Sequence, residues 1–194
     1  MKTSDFRLMI LSAFAALLFA SCSPSPPNTR PINSATPSRA LSGNYSRSSP
    51  LATFSGRVVR IEDGDTISVL DDANRNYKIR LQGIDAPEGG QAFGDRSRQN
   101  LADEVFGKQV SVEWSKRDQY GRIVGKVLVD GRDVCLEQIR AGLAWHYKYY
   151  QNEQSAEDRK MYADAEEEAR TEKRGLWVDG DPTPPWEFRR SGNK

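Results

Sequence analysis

The stretch from Ile61 to Glu88, reading IEDGDTISVLDDANRNYKIRLQGIDAPE, restricts the fold more than any other part of the chain. Two short runs flank a polar turn at Asp71, Asp72, Ala73 and Asn74. Asp65, Ile67 and Val69 share one face before the turn, and Tyr77, Ile79 and Leu81 share one after it. Alternation with a period of two on either side of a turn predicts a β-hairpin with a longish loop. The outer ends of this hairpin carry acids, Asp63 and Asp65 on one side and Asp85 and Glu88 on the other. Antiparallel pairing brings the four together, and like charges at close range repel unless a cation offsets them.

Short carboxylates as the only charged ligands suit a hard cation, Ca²⁺ or Mg²⁺, better than zinc, which prefers imidazole and thiolate. The chain has one histidine, His146, and two distant cysteines, Cys22 and Cys135, too few for the common zinc sites. That single histidine also excludes two-histidine ribonuclease chemistry. Arg80 lies on the strand face opposite Tyr77, Ile79 and Leu81, where its planar fork can meet an anion bound beside the metal. A cation and a guanidinium around one anion point to phosphoryl chemistry. Asp-Gly-Asp-Thr by itself would be no more than a turn, since Asp forms turns readily.

Three runs decide between these readings. Asp63-Gly64-Asp65-Thr66, Arg80-Leu81-Gln82-Gly83-Ile84-Asp85-Ala86-Pro87-Glu88 and Asp118-Gln119-Tyr120-Gly121-Arg122 resemble, in the same order, the motifs of the staphylococcal nuclease (thermonuclease) family. The resemblance extends from about Thr53 to Trp177. It implies a Ca²⁺-dependent enzyme that hydrolyses phosphodiester bonds of DNA or RNA and leaves 3′-phosphate ends. Asp65 and Asp85 would be metal ligands, with the backbone carbonyl of Ala86 as a third. Glu88 would act as general base on the attacking water, and Arg80 and Arg122 would clamp the phosphate. Tyr120 and Tyr150 would line the nucleotide pocket. Asp63 reads as a turn or supporting residue. Two positions depart from the family pattern: Ala86 stands where threonine is usual, and Gln119 where lysine is common.

Strand-like runs at Phe54 to Ile61, Asp65 to Leu70, Tyr77 to Gln82, Gln109 to Trp114 and Ile123 to Val129 alternate with helical stripes. The stripes are Phe93, Ser97, Leu101 and Val105; Cys135, Ile139 and Leu143 behind an Asp133 cap; and Met161, Ala165 and Ala169 after Ser155. Composition alone gives an α+β domain. The resemblance implies a five-stranded OB-fold β-barrel with three helices. Cys135 lies on an apolar stripe and reads as core, and His146, among Trp145, Tyr147, Tyr149 and Tyr150, as a half-exposed structural residue. Trp177 reads as structural, and the proline-rich segment around Trp186 either packs on the barrel or stays loose.

The N-terminus reads as an address. Lys2 and Arg7 precede an apolar run from Leu8 to Ala20 that is too short to span a bilayer, so residues 1–21 are a signal peptide. Leu18-Phe19-Ala20-Ser21-Cys22 resembles a bacterial lipobox, with Phe19 atypical, so Cys22 would be lipidated and anchor the protein to the cell envelope. Plain secretion is the alternative. Residues 22–50, rich in Ser and Pro, form a tether, and residues 51–194 form the folded domain, read as a monomer. Of 28 basic and 27 acidic residues, the first fifty hold five basic and one acidic, leaving the folded domain mildly acidic. A broad electrostatic grip on nucleic acid is thereby excluded, and binding must be local. A catalytically weak OB-fold nucleic-acid-binding lipoprotein is the competing class. Its mark would be loss of Arg80, Glu88 or Arg122, and all three are present. Replacing Cys22 with Ser is expected to move the protein from the membrane to the soluble fraction and to abolish labelling by tritiated palmitate. A wild type that is already soluble and unlabelled would refute the anchor.

Overall fold

The alternating runs close into a ring. The computed structural model describes residues 51–192; the signal peptide, Cys22 and the tether lie outside the described residues. The strands are β1 (Ala52–Ile61), β2 (Thr66–Leu70), β3 (Asn76–Leu81), β4 (Ile84–Asp85), β5 (Gln109–Arg117), β6 (Ile123–Val129), β7 (Arg132–Asp133) and β8 (Trp145–His146). β1, β2 and β3 form an antiparallel meander, with Thr66 opposite Arg80 and Leu70 opposite Asn76. β1 also pairs with β5, β5 pairs with β6, and β6 runs parallel to β3 with Ile79 opposite Ile123 and Leu81 opposite Gly125. The circuit β1-β2-β3-β6-β5 is a five-stranded barrel of OB type, as expected. A short ladder joins β4 to β8, with Ile84 opposite His146 and Asp85 opposite Trp145.

Alternation fills the barrel. Along β6, Ile123, Gly125, Val127 and Val129 are buried and the residues between them are half-buried. Ile67, Val69, Ile79 and Leu81 from the hairpin join Val58, Val110 and Val112 in one apolar core. Each fully buried aliphatic side chain contributes roughly 1.5–3 kcal/mol relative to exposure. At Asn74, φ of 57° carries the chain through the polar hairpin loop.

Among the described residues, four α-helices accompany the ring: α1 (Gly94–Val105), α2 (Val134–Arg140), α3 (Ala156–Thr171) and α4 (Pro185–Arg190). α1 buries Ser97, Leu101 and Val105, as its stripe predicts. α2 is shorter than its stripe: it stops at Arg140, and Gly142, with φ of 66°, turns the chain so that Leu143 is buried from outside the helix. On α3 the buried positions are Tyr162, Ala165, Glu166 and Ala169, while Met161 is only partly covered. Ser155 caps that helix by accepting from the Asp158 amide. Cys135 is fully buried, and burial pushes its thiol far above the ordinary range, which removes it from chemistry. α4 was not expected; it arises in the proline-rich tail, with Pro185 in its first turn.

Asp133 holds several of these parts together. Its Oδ1 accepts from the amides of Cys135 (2.9 Å) and Leu136 (3.2 Å), and its Oδ2 accepts from the buried Tyr162 hydroxyl at 2.8 Å. Asp133→Ala removes the α2 cap, worth about 1 kcal/mol, and strands a buried hydroxyl at a cost of about 1–3 kcal/mol. Urea denaturation is expected to show a loss of about 2–4 kcal/mol.

Candidate active site

The two acids at the ends of the hairpin are buried and meet at one guanidinium. Asp85 has no exposure and Asp65 is 5% exposed. Arg80 Nη1 lies 2.7 Å from Asp65 Oδ2 and Nη2 lies 2.8 Å from Asp85 Oδ1. Arg80 therefore turns its fork inward onto the acids. Burial works against its charge, but the fields of Asp65 and Asp85 outweigh that and hold its pKa above the ordinary value.

The Asp63-Gly64-Asp65 turn is clamped from several sides. Asp63 Oδ1 accepts from the Asp65 amide at 3.0 Å, and Asp65 Oδ2 accepts from the Ala86 amide at 2.8 Å. Buried Gln138 on α2 donates to the Gly64 carbonyl at 2.7 Å and to the Ser97 carbonyl at 3.1 Å. A Cβ on Gly64 would lie 2.0 Å from Ser97 Oγ and 2.7 Å from the Ala86 Cβ, so only glycine lets the turn sit this close to α1. Burial and the neighbouring Asp65 charge raise the Asp63 carboxyl to about 6. This fits a supporting role for Asp63.

Glu88 stands just outside the buried pair, on the loop before α1. Its amide donates to Gln91 Oε1 at 3.0 Å, and Gln91 Nε2 donates to the Thr183 carbonyl at 2.6 Å, which ties this loop to the C-terminal tail. A residue that sequence reasoning missed completes the cluster. Arg189 on α4 places Nη2 2.8 Å from Asp85 Oδ2, and Nη1 3.2 Å from Asp85 Oδ1 and 2.5 Å from Glu88 Oε1. Burial opposes its charge, and the bonds to Asp85 and Glu88 more than compensate, so its pKa is raised. The four acids thus come together as expected, but two arginines lie among them. Among the described residues no group of three or more histidine, cysteine, aspartate or glutamate side chains is arranged to hold a metal.

Arg122 reaches the same cleft from the loop between β5 and β6. Asp118 Oδ1 accepts from the Tyr120 and Arg122 amides, each at 2.9 Å, and its Oδ2 accepts from Arg122 Nε at 2.7 Å. Gly121, with φ of 78°, completes the turn. The Arg122 guanidinium lies 5.5 Å from the Tyr120 ring centroid, and its Nη1 is 3.5 Å from Thr66 Oγ1, which in turn donates to Asp65 Oδ1 at 3.1 Å. Arg122 thereby connects to the acids through one hydroxyl. Tyr120, 75% exposed, and Tyr150, 46% exposed, line the cleft with Gln119, as does Tyr147, which was not singled out. The cleft volume of about 660 Å³ suits a nucleotide-sized ligand.

The donors fit a hard cation. Two buried carboxylates offer oxygen only, Arg80 and Arg189 balance their charge here, and a backbone carbonyl and water can complete an incomplete cage of this type. Asp65 and Asp85 are the residues that would hold it.

Comparison with known proteins now decides the family. The model described as "Staphylococcal nuclease homologue" matches residues 78–179. The chain belongs to the staphylococcal nuclease family. It is a nuclease of the hydrolase class. It is 45% identical over 139 residues to an uncharacterized endonuclease of Escherichia coli, covering 71% of this chain and 86% of that protein. It is also 45% identical over 150 residues to a micrococcal nuclease of Shigella flexneri, covering 72% and 83%. A probable staphylococcal-like nuclease of Oryza sativa subsp. japonica is 39% identical over 126 residues, covering 64% of this chain and 33% of that protein.

His146 departs from its expected half-exposed setting in this nuclease: it is buried, because pairing with Ile84 draws it under the cleft floor. Nε2 lies 2.9 Å from Gln154 Oε1, an acceptor, so Nε2 carries the proton and Nδ1 is left without a partner. Burial lowers its pKa, outweighing Gln154 and the Glu166 charge. The folded state therefore resists a proton that the unfolded state takes up near pH 6.5, so this contribution is intact above about 6.5 and is lost as pH falls. Asp63, raised to about 6, acts with the opposite sign by binding its proton more readily in the folded state. Thermal melts between about pH 7.5 and 5.5 are expected to fall less steeply for His146→Gln than for wild type. Equal slopes would refute a buried neutral histidine.

Proposed function

We propose that this nuclease is an exported, Ca²⁺-dependent enzyme that hydrolyses phosphodiester bonds of DNA or RNA and leaves 3′-phosphate ends. The observation that carries the reading is the buried pair Asp65 and Asp85 beside Glu88, with Arg80 and Arg122 at the same cleft. Asp65 and Asp85 would hold the cation, joined by the Ala86 carbonyl. The bound cation supplies positive charge beside the scissile phosphate. Ala86 lacks the hydroxyl of the usual threonine, but a backbone donor survives that change.

Arg122 donates to the phosphate oxygens and balances the charge that grows in the five-coordinate transition state; Arg80, its fork held by Asp65 and Asp85, joins it only where part of that pairing is given up. Asp118 holds Arg122 by its Nε, which keeps the far edge of the guanidinium directed at substrate. Glu88 takes a proton from the attacking water. The water oxygen bonds to phosphorus, the bond to the 5′ oxygen breaks, and that oxygen leaves as an alcohol after gaining a proton from solvent. Tyr120 and Tyr150 stack against bases or border the sugar. The export signal in residues 1–21 and the lipidation of Cys22 place the enzyme at the cell envelope as a tethered monomer. Gln119 in place of lysine weakens the grip on substrate by one phosphate contact.

Initial-rate cleavage of a fluorescent single-stranded oligonucleotide at saturating Ca²⁺ tests these roles. Glu88→Gln is expected to lower kcat by about 10² to 10⁴, and Arg122→Lys by about 10² to 10³, with circular dichroism unchanged. Lysine keeps the charge of Arg122 but loses the planar fork. A shared transition state means that the double variant loses less than the product of the two single losses. A folded single variant with wild-type kcat would refute the assigned role, and cleavage that persists in chelator would refute the Ca²⁺ requirement.

A further inference from the structure

We infer that the C-terminal strap carries an internal counter-ion, Arg189, which competes with the cation for Asp85 and covers Glu88, so that the cleft is switched on only when the strap lifts. This rests on the reading of Asp85 as a cation ligand. Arg189 donates to both oxygens of Asp85, at 2.8 and 3.2 Å, and to Glu88 Oε1 at 2.5 Å. With Arg80 also on Asp85 Oδ1 at 2.8 Å, both oxygens of that carboxylate are already engaged. Three guanidinium bonds take three of about four acceptor positions on Asp85, so a divalent ion that binds there meets the Arg189 charge and competes with its fork. Arg189 also engages one of the two Glu88 oxygens, so a water at that oxygen must share it with the guanidinium.

The strap is built to be held and released. Besides Arg189 itself, Thr183 and Trp186 anchor this segment: Gln91 Nε2 donates to the Thr183 carbonyl at 2.6 Å, and Trp186 stacks on Tyr147 with ring centroids 5.6 Å apart. Trp186 also meets Trp145 edge-on at 6.3 Å. Beyond these, α4 has six residues and buries only Pro185. A short helix with so little burial is drawn from the low-stability end of a fold and can leave without unfolding the barrel. Linkage then runs both ways: the guanidinium weakens cation binding, and the cation loosens the strap by the same factor.

The test is direct titration of Ca²⁺ by isothermal calorimetry into wild type, Arg189→Ala and Arg189→Lys, with no substrate present. Arg189→Ala is expected to bind Ca²⁺ about tenfold more tightly, and Arg189→Lys to fall between wild type and Arg189→Ala, because lysine keeps the competing charge but loses the fork that engages both Asp85 oxygens. In wild type, Ca²⁺ is expected to speed tryptic cleavage after Arg189 and Arg190. An unchanged or weaker affinity in Arg189→Ala overturns the inference and makes Arg189 a supporting contact. If wild type and both variants bind no Ca²⁺, the cation reading of Asp85 fails and this inference with it. Equal tight binding by all three sinks the inference alone.

Discussion

The rest of the site depends on one guanidinium shared by two buried carboxylates. Asp65, in the turn before β2, and Asp85, on β4, have almost no access to water and would repel each other without Arg80 between them. Removing water from two such charges costs several kcal/mol per ion, and only a close partner offsets it. The barrel pays that cost by placing Arg80 on β3 opposite Thr66, so that the pairing register itself points the fork at both acids. The parallel contact of β3 with β6 then fixes how far this edge can shift, because Arg80 is also opposite Val124. Closure of the ring and neutralisation of the acids are therefore one constraint.

From that pair, charges alternate outward in both directions. Toward the loop between β5 and β6 the order is Asp65, the Thr66 hydroxyl, Arg122 and Asp118. Toward the tail it is Asp85, Arg189 and Glu88. The helices contribute rigidity more than charge: Gln138 on α2 and Ser97 on α1 meet at the Gly64 turn, and Ser97 Oγ donates to the Leu143 carbonyl at 2.7 Å. Buried polar contacts of this kind are costly when incomplete and rigid when satisfied. At Gly94, a Cβ would lie 2.0 Å from the Glu88 carbonyl, so α1 must begin with glycine for Glu88 to stay at the cleft.

What could be read from the sequence follows the range of the signal. Ile123 to Val129 was read to the residue, because each alternate position faces the barrel interior. The caps Asp133 and Ser155 were legible because capping is a contact over two or three residues. The three motifs placed Asp65, Arg80, Asp85, Glu88 and Arg122 around one cleft. What was lost is set by distance along the chain. Arg189 acts on residues 104 and 101 positions away, and no local pattern near Trp186 shows that the tail returns. The helix α4 begins within a proline-rich run that reads as loop, and its position is decided by Tyr147 and Gln91. His146 was misjudged for the same reason: an aromatic neighbourhood suggests a surface, while its burial comes from pairing with Ile84 and a bond to Gln154.

The charge balance of the cleft gives the arginines a further meaning. Arg80, Lys116, Arg117, Arg122 and Arg189 line it together with Asp63, Asp65, Asp85, Glu88, Asp118 and Glu153, so basic groups do not outnumber acidic ones. The rest of the domain offers no compensating basic surplus, and a polyanion is not drawn to such a surface at long range. On the proposed reading, the divalent ion is the charge that tips the balance, and by displacing Arg189 it also frees a guanidinium beside the phosphate path. Substrate affinity and chemical competence then rise together from one binding event. On this reading, a nuclease whose folded domain is mildly acidic holds nucleic acid only where and when it can cut it, which suits turnover better than a permanently basic groove.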